Sequence, residues 1–298
     1  MLKNLNNIIN NHYLSFICSL IYFLLGGTLL ALLIGKPVGF LIAFILYIIS
    51  VILAVSPTAE ELYRFLHNIR KIETNEERDY LIPILTDVIE TMSQEKPEDK
   101  KKLEKIEIFI IDKLDINAYA LGSATIAITK GAIKAFDEDQ LKGVLAHEIA
   151  HIRNFDTIAN MFVFIASGFF YLFVLLFQFI ISLTEKTTSD EKKESVGTYL
   201  SAFIKGIFKI FLFIFSFLIQ ITLAIERRSK EYIADETAYE LGFGDELISA
   251  LYLLEKISLG DYKDLKQRLT ASHPRTTARI GRLESMGSMN YNFDLLKD

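Results

Sequence analysis

The feature that most constrains this chain is a pair of uncharged, apolar runs near its amino end, Tyr13 to Ile34 and Val38 to Val55. Each is long enough to cross the ~30 Å hydrocarbon layer as a helix rising about 1.5 Å per residue. Lipid offers the backbone no hydrogen-bond partner, so a helix is the form such runs take. Only Gly35, Lys36 and Pro37 separate them. A turn this tight predicts a helical hairpin, with the residues before it and those after Ser56 on one side of the membrane. A cleaved signal peptide is the competing reading of the first run, and the apolar partner that follows at once argues against it.

Two more apolar runs follow, Ile158 to Leu183 and about Phe203 to Ile225, joined by the polar segment TEKTTSDEKKESVGTYLSA. Lys205 and Lys209 interrupt the start of the last run and leave an uncharged core, Ile210 to Ile225, that is short for a full crossing. Lysines near a helix end can snorkel, so it is read as a span, and helices buried in protein or lying in the interface are the alternative. The sequence is 51% hydrophobic with a mean hydropathy of +0.30, too apolar for an ordinary soluble enzyme. The expected fold is mainly α, a multi-span membrane protein with about four transmembrane helices and an α+β catalytic domain in two parts. Its boundaries are a first hairpin at 1–56, a first catalytic part at 57–157, a second hairpin at 158–225 and a second catalytic part at 226–298.

Arg64, Arg70 and Lys71 follow the second span and Lys3 precedes the first, whereas the first turn holds only Lys36. By the positive-inside rule the polar domain faces the cytoplasm of a plasma or inner membrane. Lys186, Lys192 and Lys193 in the later loop pull the other way. A net charge of −5 provides no basic stripe for a phosphate backbone, so nucleic acid is not an expected partner. Cys18 is the only cysteine, which excludes an intrachain disulfide and suits a reducing compartment.

Between the second and third spans, RDYLIPILTDVIETM has a helical pattern, MSQEKPEDKKKLEK reads as a solvated connection, and IEIFIID and TIAIT read as short strands with NAYALG between them. Asp137 followed by Gln140 is a capping pattern that opens a helix through EDQLKGVLAHEIAHIRN. On that helix His147 and His151 stand four apart, so their rings leave one face and can share a tetrahedral metal. Glu148 is beside that face, where a carboxylate can take the proton of an attacking water and return it to a leaving amine, as metal-assisted peptide hydrolysis requires. A catalytic zinc site usually has three protein ligands. Glu231 and Asp235, four apart in ERRSKEYIADETAYE, can supply the third ligand and a group that orients a histidine. The spacing alone leaves Glu226, Glu236 and Glu240 open as well.

HEIAH, then EYIAD after an apolar hairpin, then HPRTTARI near the carboxyl end resemble the HtpX-type membrane zinc metalloproteases, relatives of the CAAX prenyl endopeptidase family. The resemblance covers nearly the whole chain. It implies a zincin-like domain holding one Zn2+, with His147, His151 and Glu231 as ligands and Asp235 supporting a ligand from behind. NAYALG resembles a segment beside the substrate cleft, which implies that Asn117, Ala118, Tyr119 and Ala120 border the bound peptide. His273 and Arg279 are implied to lie near the metal, as donors to the oxyanion; anchoring the last helix is their other reading. The family often has Ser-Arg before the ligand motif, where this chain has Arg227 and Arg228.

The resemblance implies an endopeptidase acting on misfolded or damaged membrane proteins, as part of quality control and stress response. Processing of prenylated proteins is the enzymatic alternative. A non-catalytic membrane adaptor with structural zinc is the other, and it would be marked by a missing base or a fourth protein ligand.

Overall fold

The computed structural model describes residues 12–54, 56–188, 196–258 and 275–287. In chain order the main elements are α1 (Tyr13–Ile34), α2 (Lys36–Ala54), α3 (Pro57–Leu66), β1 (Ile69–Arg70), α4 (Asn75–Glu95), α5 (Lys100–Leu103), β2 (Glu107–Ile111), β3 (Ala118–Leu121), β4 (Thr125–Thr129), α6 (Lys130–Ala135), α7 (Glu138–Arg153), α8 (Asp156–Thr188), α9 (Val196–Ala238), α10 (Gly244–Ser258) and α11 (Thr276–Ser285). The chain divides into two compact units, one of residues 1–54 and 162–226 and one of residues 55–161 and 227–298.

In the first unit, Cys18, Tyr22 and Leu29 of α1 join Phe170 and Phe173 of α8 and Ile219 and Leu223 of α9 in one apolar cluster. The Tyr22 ring lies 5.2 Å from Phe170 and meets Phe215 edge-on at 5.7 Å, an arrangement that aligns positive ring edges with negative faces. Among the described residues, three helical stretches are long and apolar enough to cross a membrane: Tyr13–Leu32, Lys36–Ala54 and Asp156–Leu176. The fourth run expected from the sequence falls inside α9 and is not among these three.

The second unit carries a four-stranded sheet in the order β1-β2-β4-β3. β2 and β4 are parallel, and β3 is antiparallel to β4 with Ala118 opposite Ile128 and Leu121 opposite Thr125. β3 is therefore an edge strand, paired within the sheet on one side only. Ile108, Ile110, Ile126 and Ile128 from the sheet pack with Leu81, Leu85 and Val88 of α4, Leu141, Leu145 and Ile149 of α7, and Leu247, Ile248 and Leu251 of α10. β-branched residues suit the pleated central strands, and the i, i+4 spacing of the leucines suits the helices against them.

Two sequence expectations change. NAYALG is not a connection between strands, because its Ala118–Leu121 stretch is itself β3; small residues mask a strand that has one paired edge. MSQEKPEDKKKLEK is only partly a solvated connection, since α4 runs on to Glu95, a 3-10 turn covers Pro97–Asp99 and α5 follows. Met92 and Leu103 are the reason, both in the core beneath the charged surface.

Candidate metal centre

α7 is fixed at both ends. At its start Asp137 accepts from the Gln140 backbone N–H at 2.8 Å while the Gln140 side chain accepts from the Asp137 N–H at 3.2 Å, a reciprocal cap. At its end the Lys102 Nζ donates to the carbonyls of Ile152 and Arg153 at 2.9 and 3.1 Å, supplementing the backbone bonds of the last turn. One turn before the histidines Gly143 meets the backbone of Leu247 on α10 so closely that no Cβ fits. The helix is thus pressed into the core, and His147 and Glu148 are buried with it.

The chain then turns through Asn154 and Phe155, the latter at φ 64°, a left-handed conformation that costs a residue with a side chain roughly 1–2 kcal/mol. This turn starts α8 at Asp156 and sets its carboxylate beside His151, with Oδ2 2.8 Å from Nδ1. His147 is held in the same way, with its Nδ1 2.9 Å from Asp235 Oδ1. Each imidazole donates its Nδ1 proton to a carboxylate, which leaves both Nε2 lone pairs facing the same point.

Glu231 of α9 completes the group. The two Nε2 atoms are 3.2 Å apart, and Glu231 places Oε2 3.4 Å from His147 Nε2 and Oε1 3.4 Å from His151 Nε2. Donors at ~2.0–2.1 Å from a tetrahedral zinc lie about 3.3 Å from one another, so these three residues fit the ion. Among the described residues, this is the one set of three or more imidazole, thiolate and carboxylate groups placed to hold a metal. Of the other carboxylates that the spacing left open, Glu226 accepts from Ser15 Oγ at 2.6 Å and Glu236 pairs with Arg282 at 3.3 Å.

Burial opposes charging His151, but hydrogen bonds to Asp156 and Glu231 outweigh it and raise its pKa to about 10. Burial and Arg279 oppose charging His147, and Asp235 and Glu231 again raise it. Burial also opposes ionisation of Asp235, yet the adjacent guanidinium of Arg279 and its bonds hold that carboxyl below the usual range. Arg279, from α11, donates through Nε to Asp235 Oδ2 at 2.8 Å and through Nη2 to Oδ1 at 2.6 Å. Its Nη1 lies 3.4 Å from Glu231 Oε2.

Glu148 is next to this group, and its Oε2 accepts from the backbone N–H of Ala120 at 2.8 Å. N–H groups alternate in direction along a strand, so Ala118 faces the same side of β3 as Ala120. Asn117 is exposed just before the strand, its backbone joined to Thr129, and Tyr119 lies between the two alanines. Of the residues expected from the sequence, all but one are therefore gathered along α7, β3, α9 and α11. The exception, His273, lies outside the described residues. Asp156 was missed. It stands five residues after the second histidine and just before the third apolar run, and only the turn through Asn154 and Phe155 brings it back onto the ring.

Two imidazoles and a carboxylate gathered to hold one metal, with a second carboxylate alongside and apolar helices long enough for a bilayer, mark the class: a membrane metalloprotease. The chain belongs to peptidase family M48, whose model matches residues 83–287, a span holding every site residue named above, and within that family it is of the HtpX type. A Protease HtpX homolog of Listeria welshimeri is 25% identical over 305 residues, covering 89% of this chain and 96% of that protein. One of Methanocaldococcus jannaschii is 27% identical over 292 residues, covering 87% and 95%, and one of Pyrococcus abyssi is 28% identical over 209 residues, covering 62% and 68%. Among solved structures, Ste24p of S. mikatae is 22% identical, with a TM-score of 0.49 over 90% of this chain and 67% of that one.

Proposed function

We propose that this chain is a zinc-dependent endopeptidase that cleaves misfolded or damaged membrane proteins. The observation that carries the reading is the gathering of His147, His151 and Glu231, with the two Nε2 atoms 3.2 Å apart and each 3.4 Å from one of the two Glu231 carboxylate oxygens, and with Glu148 beside them. These three residues would hold one Zn2+, which when bound polarises the peptide carbonyl and makes water more acidic. Glu148 takes the proton of the attacking water and delivers it to the leaving nitrogen. Asp235 and Asp156 hold the two imidazoles in the orientation and tautomer that ligation needs.

The outer edge of β3 suits a substrate in extended form that pairs with the strand's backbone at Ala118 and lies beside Ala120, whose N–H is already given to Glu148, while Asn117 and Tyr119 border it. Backbone pairing is indifferent to side chains, as cleavage of damaged proteins of varied sequence demands. Arg279 is engaged with both oxygens of Asp235, which favours a positioning role over the oxyanion role that the motif suggested. The donor to the oxyanion is then His273. Three protein ligands and a retained base support an enzyme over a structural-zinc adaptor. Four spans, with the second unit on the cytoplasmic side, complete the proposal and rest on the apolar runs and the lysine and arginine pattern.

The test is cleavage of an unfolded model polypeptide by the full-length protein in detergent. Cleavage that a chelator stops and zinc restores is expected. Cleavage that persists after complete metal removal would overturn the reading.

A further inference from the structure

Taking the centre as a peptidase, we infer that Glu60 is a positioning residue for it, acting through the turn between β3 and β4. An edge strand is paired on one side only, so β3 keeps its place against Glu148 only if its ends are fixed. The turn beyond its far end, Gly122 to Ala124, begins two residues after Ala120. Glu60, on α3, grips that turn. Its Oε1 accepts from the Ser123 backbone N–H at 2.6 Å and from Ser123 Oγ at 2.9 Å, and its Oε2 accepts from Thr125 Oγ1 at 2.8 Å. Thr125 Oγ1 in turn accepts from Arg64 Nη1 at 2.7 Å, one turn further along α3.

Several features mark this as a built contact. Glu60 is buried, and a buried carboxylate is costly unless its lone pairs are satisfied, so the turn and the carboxylate each require the other in place. Gly122 has φ +61°, and a Cβ there would run into the carboxylate, so glycine is what permits the approach. The same turn is held from its other side by Thr157, whose Oγ1 donates to the Gly122 carbonyl at 2.5 Å. Thr157 directly follows Asp156, the residue that orients His151. The turn thus joins the strand behind Glu148 to the helix start behind a metal ligand, and Glu60 fixes it without touching either group.

The test uses full-length protein in detergent. Glu60→Ala, Glu60→Gln and Thr157→Val are compared by amide hydrogen exchange over 118–124, by metal content, and by kcat and KM on an unfolded polypeptide. Glu60→Ala is expected to speed exchange in that segment alone, to keep its metal, and to lower kcat/KM by about 10–100-fold through both a higher KM and a lower kcat. Glu60→Gln keeps an oxygen for Ser123 and should recover most of the loss. Unchanged exchange at 118–124 in Glu60→Ala, or a lower Tm with wild-type kcat and KM in the folded, metal-loaded fraction, would overturn the inference. If Glu60→Ala does not fold, Thr157→Val decides, with a smaller shift in the same direction expected and no shift overturning it. A wild-type protein that cleaves nothing would defeat the peptidase reading alone, and the exchange result would still decide whether Glu60 holds the strand.

Discussion

The backbone N–H of Ala120 donates to Glu148 Oε2 across 2.8 Å, so one hydrogen bond links the edge strand to the helix that carries both histidines. One carboxylate oxygen is engaged by the strand, and the other stays available for a proton. In Glu148→Gln the amide oxygen can keep the bond to Ala120, and neither imidazole is disturbed, but the proton acceptor is gone. The variant should retain wild-type metal content while turnover falls by ~10²-fold or more. Turnover near wild type would remove Glu148 from the proposed chemistry.

Asp156 is expected to act through His151. Asp156→Ala removes the acceptor from Nδ1 and frees the ring to rotate, which should weaken metal affinity by about 10–100-fold. Competition with a calibrated chelator measures this directly. Unchanged affinity would mean that packing alone orients the ring.

Asp235 is almost wholly enclosed, and Arg279 is the cation that satisfies it. Arg279→Ala should therefore destabilise the protein by roughly 3–5 kcal/mol, the usual cost of stranding one member of a buried pair. Arg279→Lys should recover part of that, since an ammonium cannot take both carboxylate oxygens as a guanidinium does. If Arg279→Ala instead leaves Tm unchanged and lowers only kcat, Arg279 is the oxyanion donor that the motif suggested.

Acid sensitivity has a definite sign at a second, more exposed cluster. Arg70 of β1 bonds Glu77 at 2.6 Å and Asp112 at 2.9 Å. The bond to Arg70 is the main reason that Glu77 is held down at about 2. A carboxyl lowered on folding adds stability above its unfolded value, and that stability is lost as pH falls through the folded one. Thermal stability should thus decline between about pH 5 and pH 2, and Arg70→Met should flatten that decline. An identical pH profile in the variant would contradict this.

Much of the architecture was legible because it follows from strong local rules. Lipid forces uncharged runs into helices, and a capping pattern at Asp137 with two histidines one turn apart fixes both the helix and its chemistry. Glu231 was one of several spaced carboxylates until the family resemblance singled it out, because a helix presents many acidic side chains and only tertiary packing decides which one faces the rings. β3 was illegible since Ala118 and Ala120 carry no strand signal of their own, and their pairing comes from β4. Asp156 and Glu60 were illegible for a different reason. Each acts through a residue distant in sequence or across a turn, and no periodicity encodes such a contact.

The central claim is that His147, His151 and Glu231 together hold zinc. The most direct measurement is the metal-to-protein ratio by elemental mass spectrometry, on wild-type protein and Glu231→Ala purified alike. One zinc per wild-type chain and a marked loss in Glu231→Ala are predicted. A wild-type chain that carries no zinc, or a Glu231→Ala chain that retains its full complement, would contradict the account.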